Sequence, residues 1–105
     1  MTAKEAIEFT LKAYKLNVIS EYKFHPERRW KADWYLPDYN TMIEYEGVMS
    51  NKARHTTVTG YTKDCEKYNA AALMGIKVLR YTTLNYHQLV ADLDNLLSVV
   101  LKAKV

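Results

Sequence analysis

Residues 37–40, Pro-Asp-Tyr-Asn, divide two runs of strand-forming residues, Trp30 to Leu36 and Thr41 to Glu46. Proline presets the first torsion of a turn, and aspartate and asparagine tolerate the bend. Two such runs around a short turn predict an antiparallel hairpin, and a hairpin assigns a partner to every residue along it. A turn centred between Asp38 and Tyr39 puts Asp33 directly opposite Glu44. Strand side chains alternate faces, so Glu46 stands one pleat along on the same face as Glu44. Directly opposed side chains lie about 4.5–5.5 Å apart at Cβ, where like charges destabilise. A one-residue slip would separate them, so the convergence of three carboxylates depends on this register.

The remaining elements follow from periodicity. Residues 3–16 carry Ala3, Ile7, Leu11 and Tyr14 at helical spacing. Val18 to Phe24 alternates as a strand that His25-Pro26 ends. Residues 47–60 form a polar loop with Gly47 and Gly60 at its ends. Tyr61 to Met74 reads as a helix with Tyr61, Cys65, Tyr68 and Ala72 on its core stripe, stopped by Gly75. Lys77 to Tyr81 is a short strand, and Asn85 caps a last helix with Leu89, Leu93, Leu96 and Val100 on its core face. The order α-β-β-β-α-β-α predicts an α/β domain whose mixed sheet is flanked by helices: a hairpin first, then a crossover helix to a further strand.

At 105 residues the chain makes one domain, spanning 1–105, with room for a modest core. With 49% hydrophobic and 26% charged residues it is globular in composition. The apolar stretches fall well short of a membrane span and the first residues make no signal peptide, so a membrane partner is not expected. The lone Cys65 excludes an internal disulfide, and His25, His55 and His87 lack zinc spacing; a reduced, cytoplasmic setting is expected. A net charge of +3 permits an anionic partner.

The converging carboxylates admit three readings: a solvated acidic face, a network neutralised by Arg28, Arg29 or Lys31, or a divalent-cation site. Helices on both sides of the sheet weigh against the first. Hard cations such as Mg²⁺ take oxygen ligands, commonly one or two carboxylates with water and phosphate. The flanking segments suit a phosphate-bearing substrate: HPERRWK (25–31) brings Arg28, Arg29 and Lys31, and NKARH (51–55) brings Lys52 and Arg54. The cation site therefore fits best. Elsewhere, Lys67 stands one turn from Lys63 on the second helix, and Asp64 and Glu66 suit the charge of its first turns. Cys65, Tyr61 and Tyr68 are expected in the core, and Trp30 and Trp34 on one strand face.

Asp33, with Glu44-Tyr45-Glu46 eleven residues on, resembles the PD-(D/E)xK nuclease superfamily. The blocks FHPERRWKADWYLP, IEYEG, RHT and GYTKDCEKYNAAALMGIKVLRYT, within residues 24–83, are similar to small phage-type endonucleases akin to the very-short-patch-repair-like branch. The resemblance implies a restriction-endonuclease-like fold and a cytoplasmic enzyme of a bacterial or phage-infected cell. It implies Asp33, Glu44 and Glu46 as ligands of Mg²⁺ or Mn²⁺, with a further acidic residue on the first helix, Glu5 or Glu8. It also implies a role for His55. The sequence departs from E-x-K, because position 46 is Glu; Lys67 is the lysine expected to stand in. The expected activity is metal-dependent hydrolysis of DNA phosphodiester bonds, on substrates that include branched or recombination and repair intermediates. A protomer this small covers little DNA, which points to a homodimer. The competing class is a non-catalytic nucleic-acid-binding domain that keeps the fold. A nucleotide-binding domain is disfavoured by the lack of any Gly-rich phosphate loop.

Overall fold

The computed structural model describes residues 1–47 and 57–103, with side chains described to residue 98. Helix α1 spans Ala3–Ala13 and opens on a capping box: the Thr2 hydroxyl accepts from Glu5 N–H at 3.1 Å, and Glu5 Oε1 accepts from Thr2 N–H at 3.0 Å. It stops short of residue 16 because Lys15 enters the left-handed region (φ 56°), where Leu16 N–H reaches back to the Leu11 carbonyl.

Strands β1 (Ile19–Lys23), β2 (Lys31–Leu36), β3 (Thr41–Tyr45) and β4 (Lys77–Tyr81) form one sheet in the order β1-β2-β3-β4. The first two junctions are antiparallel and β3–β4 is parallel, the mixed sheet expected of this element order. The hairpin holds the predicted register: Trp34 pairs Ile43, Tyr35 pairs Met42 and Leu36 pairs Thr41. Every residue of β3 from Thr41 to Glu44 is buried, because apolar layers cover both faces of the sheet. One layer packs Ile7, Leu11, Leu89 and Leu93 of the flanking helices against Trp34, Leu36 and Ile43. The other joins Ala71 and Ile76 to Phe24, Ala32 and Met42.

Trp30 and Trp34 do not share a face, contrary to expectation: Trp30 lies ahead of β2 and packs on the second layer, whereas Trp34 sits in the first. Edge strand β1 turns over midway. Glu21 takes φ 52°, and beyond it Tyr22 stacks on Tyr35 at 4.3 Å in the second layer, while Ser20 stands with Trp34 and Leu11 on the other side.

Helix α2 runs Val58–Leu73, starting three residues ahead of the sequence reading, with the Thr57 hydroxyl accepting from Gly60 N–H. Its inner face also differs. Gly60, Asp64 and Ala71 are buried, whereas Tyr61 (62% exposed) and Cys65 point outward. The apolar stripe read from the sequence is rotated by one position because the true inner face carries polar residues. After β4 a single 3-10 turn, Tyr86–Gln88, precedes helix α3 (Leu89–Ala103). Asn85 does not cap α3 with its side chain; its Oδ1 turns back to accept from Thr82 N–H at 2.7 Å. Leu89 and Leu93 are buried as expected and Leu96 packs beside them.

The hairpin turn is a 3-10 turn, Pro37–Tyr39, closed by Asn40 in the left-handed region (φ 46°). Asn40 ties the hairpin to the α2–β4 junction. Its Nδ2 donates to the Gly75 carbonyl at 3.1 Å, its Oδ1 accepts from Tyr35 O–H at 2.6 Å, and its own carbonyl accepts from Lys77 N–H at 3.0 Å. Asn40→Ala removes both side-chain bonds and puts a Cβ without local compensation at positive φ, a loss of about 2 kcal/mol. Asn40→Gly relieves only the backbone, so urea unfolding should rank wild type above Asn40→Gly and Asn40→Gly above Asn40→Ala.

Candidate active site

Continuing the hairpin register one residue past Trp34–Ile43 brings Asp33 opposite Glu44, as predicted. Asp33 Oδ2 accepts from Tyr45 N–H at 2.8 Å, so the carboxylate also pins the end of β3. Glu44 is 5% exposed in mid-strand. Glu46 follows β3 and stays tied to the sheet through its N–H, which donates to the Tyr81 carbonyl at 2.7 Å. From α2, residues at i, i+3 and i+4 reach the same place: Asp64, Lys67 and Tyr68. Together these residues line a cleft of about 380 Å³, with Trp30, Arg29 and Lys31 beside them.

Lys67 provides the cation that a buried carboxylate needs. Its Nζ lies 2.8 Å from Glu44 Oε1, and both side chains are largely buried. At this distance the ammonium answers the charge of a buried carboxylate oxygen directly. Burial pushes the Glu44 pKa up to about 7; Lys67 opposes the rise and Asp33 adds to it. Glu46 is held differently. Its Oε1 accepts from Arg80 Nε at 2.7 Å and from Tyr68 O–H at 3.0 Å. The Tyr68 hydroxyl is pushed up by burial and then by Glu44 and Glu46.

The structure thus brings together Asp33, Glu44, Glu46, Lys67, Arg29 and Lys31. Arg28 stands apart, its guanidinium 4.0 Å over the Trp30 ring and 3.8 Å from Glu66. Among the described residues the ion-pair partners of Glu44 and Glu46 are Lys67 and Arg80, and not the Arg28, Arg29 or Lys31 of the network reading. Lys52, Arg54 and His55 lie outside the described residues. Neither helix-1 candidate lines the cleft: Glu5 is used in the capping box, and Glu8 faces a separate cavity with Leu11, Val18 and Trp34. Three members are not foreseen: Asp64, expected to charge the helix, is 5% exposed and faces the cleft; Tyr68, expected in the core, bonds Glu46 there; and Arg80, expected only as part of a strand, reaches Glu46. The signal for Asp64 and Arg80 was available: Asp64 precedes Lys67 by three, one turn on the same helix face, and Arg80 is the polar residue inside KVLRY.

Among the described residues no group of three or more His, Cys, Asp or Glu side chains is disposed to hold a metal ion by itself. The donor chemistry still suits a hard cation sharing its shell with water and phosphate. Two adjacent carboxylates, Asp33 and Glu44, line the cleft and offer oxygen ligands.

No family model matches the sequence, and no curated protein matches it. Among solved structures, the catalytic domain of the homing endonuclease I-Bth0305I matches with a TM-score of 0.60 and 20% identity, over 97% of this chain and 92% of that one. The fold is nuclease-like. At this identity the likeness speaks to architecture, and the placement of individual residues rests on the cleft itself. No helix among the described residues is long and apolar enough to cross a membrane.

The raised Glu44 pKa has a consequence for stability. Between an unfolded value of ~4.3 and the folded value of about 7, the folded chain binds more protons than the unfolded one. Stability from this group is therefore full below the unfolded value and is lost as pH rises through about 7, a change of roughly 4 kcal/mol. In metal-free buffer, Glu44→Gln should melt with the wild type near pH ~5 and several degrees above it near pH ~8. Thermal melts at both values check this. A variant that melts well below the wild type at the higher pH would make the Lys67 pair a net stabiliser of the fold.

Proposed function

We propose that the chain is a metal-dependent endonuclease that hydrolyses DNA phosphodiester bonds. The observation that carries this reading is the buried Glu44–Lys67 pair beside Asp33, in a cleft flanked by Arg29 and Lys31, on a nuclease-like fold. Mg²⁺ or Mn²⁺ held by Asp33 and Glu44 would supply an activated water and offset charge on the phosphoryl oxygens. The chain's own residues do the rest. Arg29 and Lys31 draw the phosphate backbone into the cleft. The Lys67 ammonium stands beside the ligand pair, where it can donate to a non-bridging oxygen or to the attacking water. Water forms the new bond to phosphorus as the bond to the leaving sugar oxygen breaks.

The second reading, a DNA-binding domain without catalysis, draws on one feature: Lys67 and Arg80 already answer Glu44 and Glu46, so these two carboxylates are paired within the protein. A panel of linear, flapped, mismatched and four-way-junction DNA, with EDTA, Mg²⁺ or Mn²⁺, separates the two. Metal-dependent cleavage of any member supports the enzyme; binding without cleavage throughout supports the second reading. The same panel tests preference for branched intermediates, and sedimentation on DNA tests for a homodimer. In the enzyme, Asp33→Asn and Glu44→Gln should abolish cutting while binding survives, and Lys67→Met should slow it by ~100-fold, the scale on which one transition-state donor acts.

Salt dependence distinguishes the arginines. Arg29→Ala should flatten the slope of log affinity against log salt by about 0.9 on duplex DNA. Arg28→Ala should change it less, because that guanidinium is committed to Trp30 and Glu66. Equal slopes for wild type and Arg29→Ala would place Arg29 off the DNA path.

A further inference from the structure

Glu46 was expected to bind metal, yet its Oε1 receives two donors from the protein, Arg80 Nε at 2.7 Å and Tyr68 O–H at 3.0 Å. Both donors meet at one ring. The Arg80 guanidinium lies 4.0 Å from the Tyr68 ring centre, and the Lys67 ammonium lies 5.5 Å from it. Adjacent residues on a helix do not ordinarily face one another, so the Lys67–Tyr68 contact requires the ring to be turned and held. It is held at its tip by Glu46 and across its ring by Arg80. A cation within about 6 Å of an aromatic face is attracted by the ring quadrupole, more strongly where water is scarce. Tyr68 is half-buried and the Lys67 side chain is only 15% exposed.

We infer that Tyr68, fixed by Glu46 and Arg80, is a positioning residue that holds the Lys67 ammonium against Glu44. The inference deepens the nuclease reading and rests on it for its catalytic consequence. The anchor itself is a property of the free protein. It links β3, β4 and α2 at one oxygen, so the helix face carrying Lys67 is set against the strand carrying Glu44.

Two experiments test it. The first needs no activity: the metal-free full-length chain is treated with an amine-acylating reagent, and modification of Lys67 is followed by peptide mass spectrometry against exposed Lys63. Lys67 should be protected in the wild type and modified on the order of fivefold faster in Tyr68→Leu and Arg80→Ala, while Tyr68→Phe, which keeps the ring and loses the tip bond, falls between. Unchanged Lys67 modification in Tyr68→Leu, in protein shown to be folded by its amide spectrum, overturns the inference. This arm stands even if the wild type cleaves no substrate, an outcome that would instead sink the nuclease reading.

The second experiment uses cleavage. If Tyr68 acts through Lys67, Tyr68→Leu combined with Lys67→Met cuts no more slowly than Lys67→Met alone; multiplied losses would overturn the inference. Glu46→Gln preserves an acceptor for both donors, so it should stay within about tenfold of wild type, whereas Glu46→Ala should lose ~100-fold, the scale of a misplaced catalytic group. A Glu46→Gln protein that cuts as slowly as Glu46→Ala would overturn the anchor.

Discussion

A carboxylate in the middle of a sheet covered on both faces is costly unless a cation answers it, and Glu44 is such a carboxylate. Much of the site's arrangement follows from that answer. Lys67 must come from the helix lying over this face, which fixes both the position and the rotation of α2. An ammonium directed inward at residue 67 brings residues 64 and 68 to the same side, so Asp64 and Tyr68 enter the cleft with it. The helix then has only Gly60, Ala71 and the Tyr68 ring to give to close packing. The opposite side of the sheet, with Trp34, Leu36 and Ile43 against α1 and α3, supplies the larger apolar cluster.

That division explains what could be read from the residues alone. The hairpin register was legible because turn chemistry and strand alternation both act within a few residues, and they agreed. It delivered the Asp33–Glu44 pairing. The element order and the parallel strand after the crossover were legible for the same reason: each rests on local periodicity. Helix α2 was assigned the wrong face because periodicity assumes that apolar residues mark the interior. Here Tyr61 and Cys65 lie outside while Asp64 and Lys67 lie inside. Sequence rules fail most where a site displaces the core, and the displaced face of α2 is itself a mark of the site. Arg80 was invisible for another reason. Its partner is 34 residues away, and only the parallel pairing of β3 with β4 brings the two together.

The ends of the elements departed from the reading by a few residues, each for a local cause. Lys15, Glu21 and Asn40 all adopt positive φ without being glycine. Their cost must be met by surrounding contacts, and only at Asn40 are those contacts plain: two side-chain bonds and one backbone bond to the junction that starts β4. The turn that sets the hairpin register is thereby the same element that sets where β4 begins. Glu44 of β3 and Arg80 of β4 are register partners as a result. One asparagine thus couples the pairing that opposes Asp33 to Glu44 with the pairing that places Arg80 beside the acidic cluster.

Glu44 and Glu46 began as equivalent residues, two carboxylates on one face of one strand, and the fold makes them different. Glu44 sits within the ladder, where burial outweighs one ammonium and leaves its pKa raised to about 7. Glu46 lies past the last ladder residue, where the chain bends toward Tyr81 and an arginine and a phenol can both reach it. Two directed donors at Oε1 compensate the Glu46 charge, whereas Glu44, more deeply set in the sheet, meets a single ammonium. The asymmetry follows from a displacement of two residues along β3.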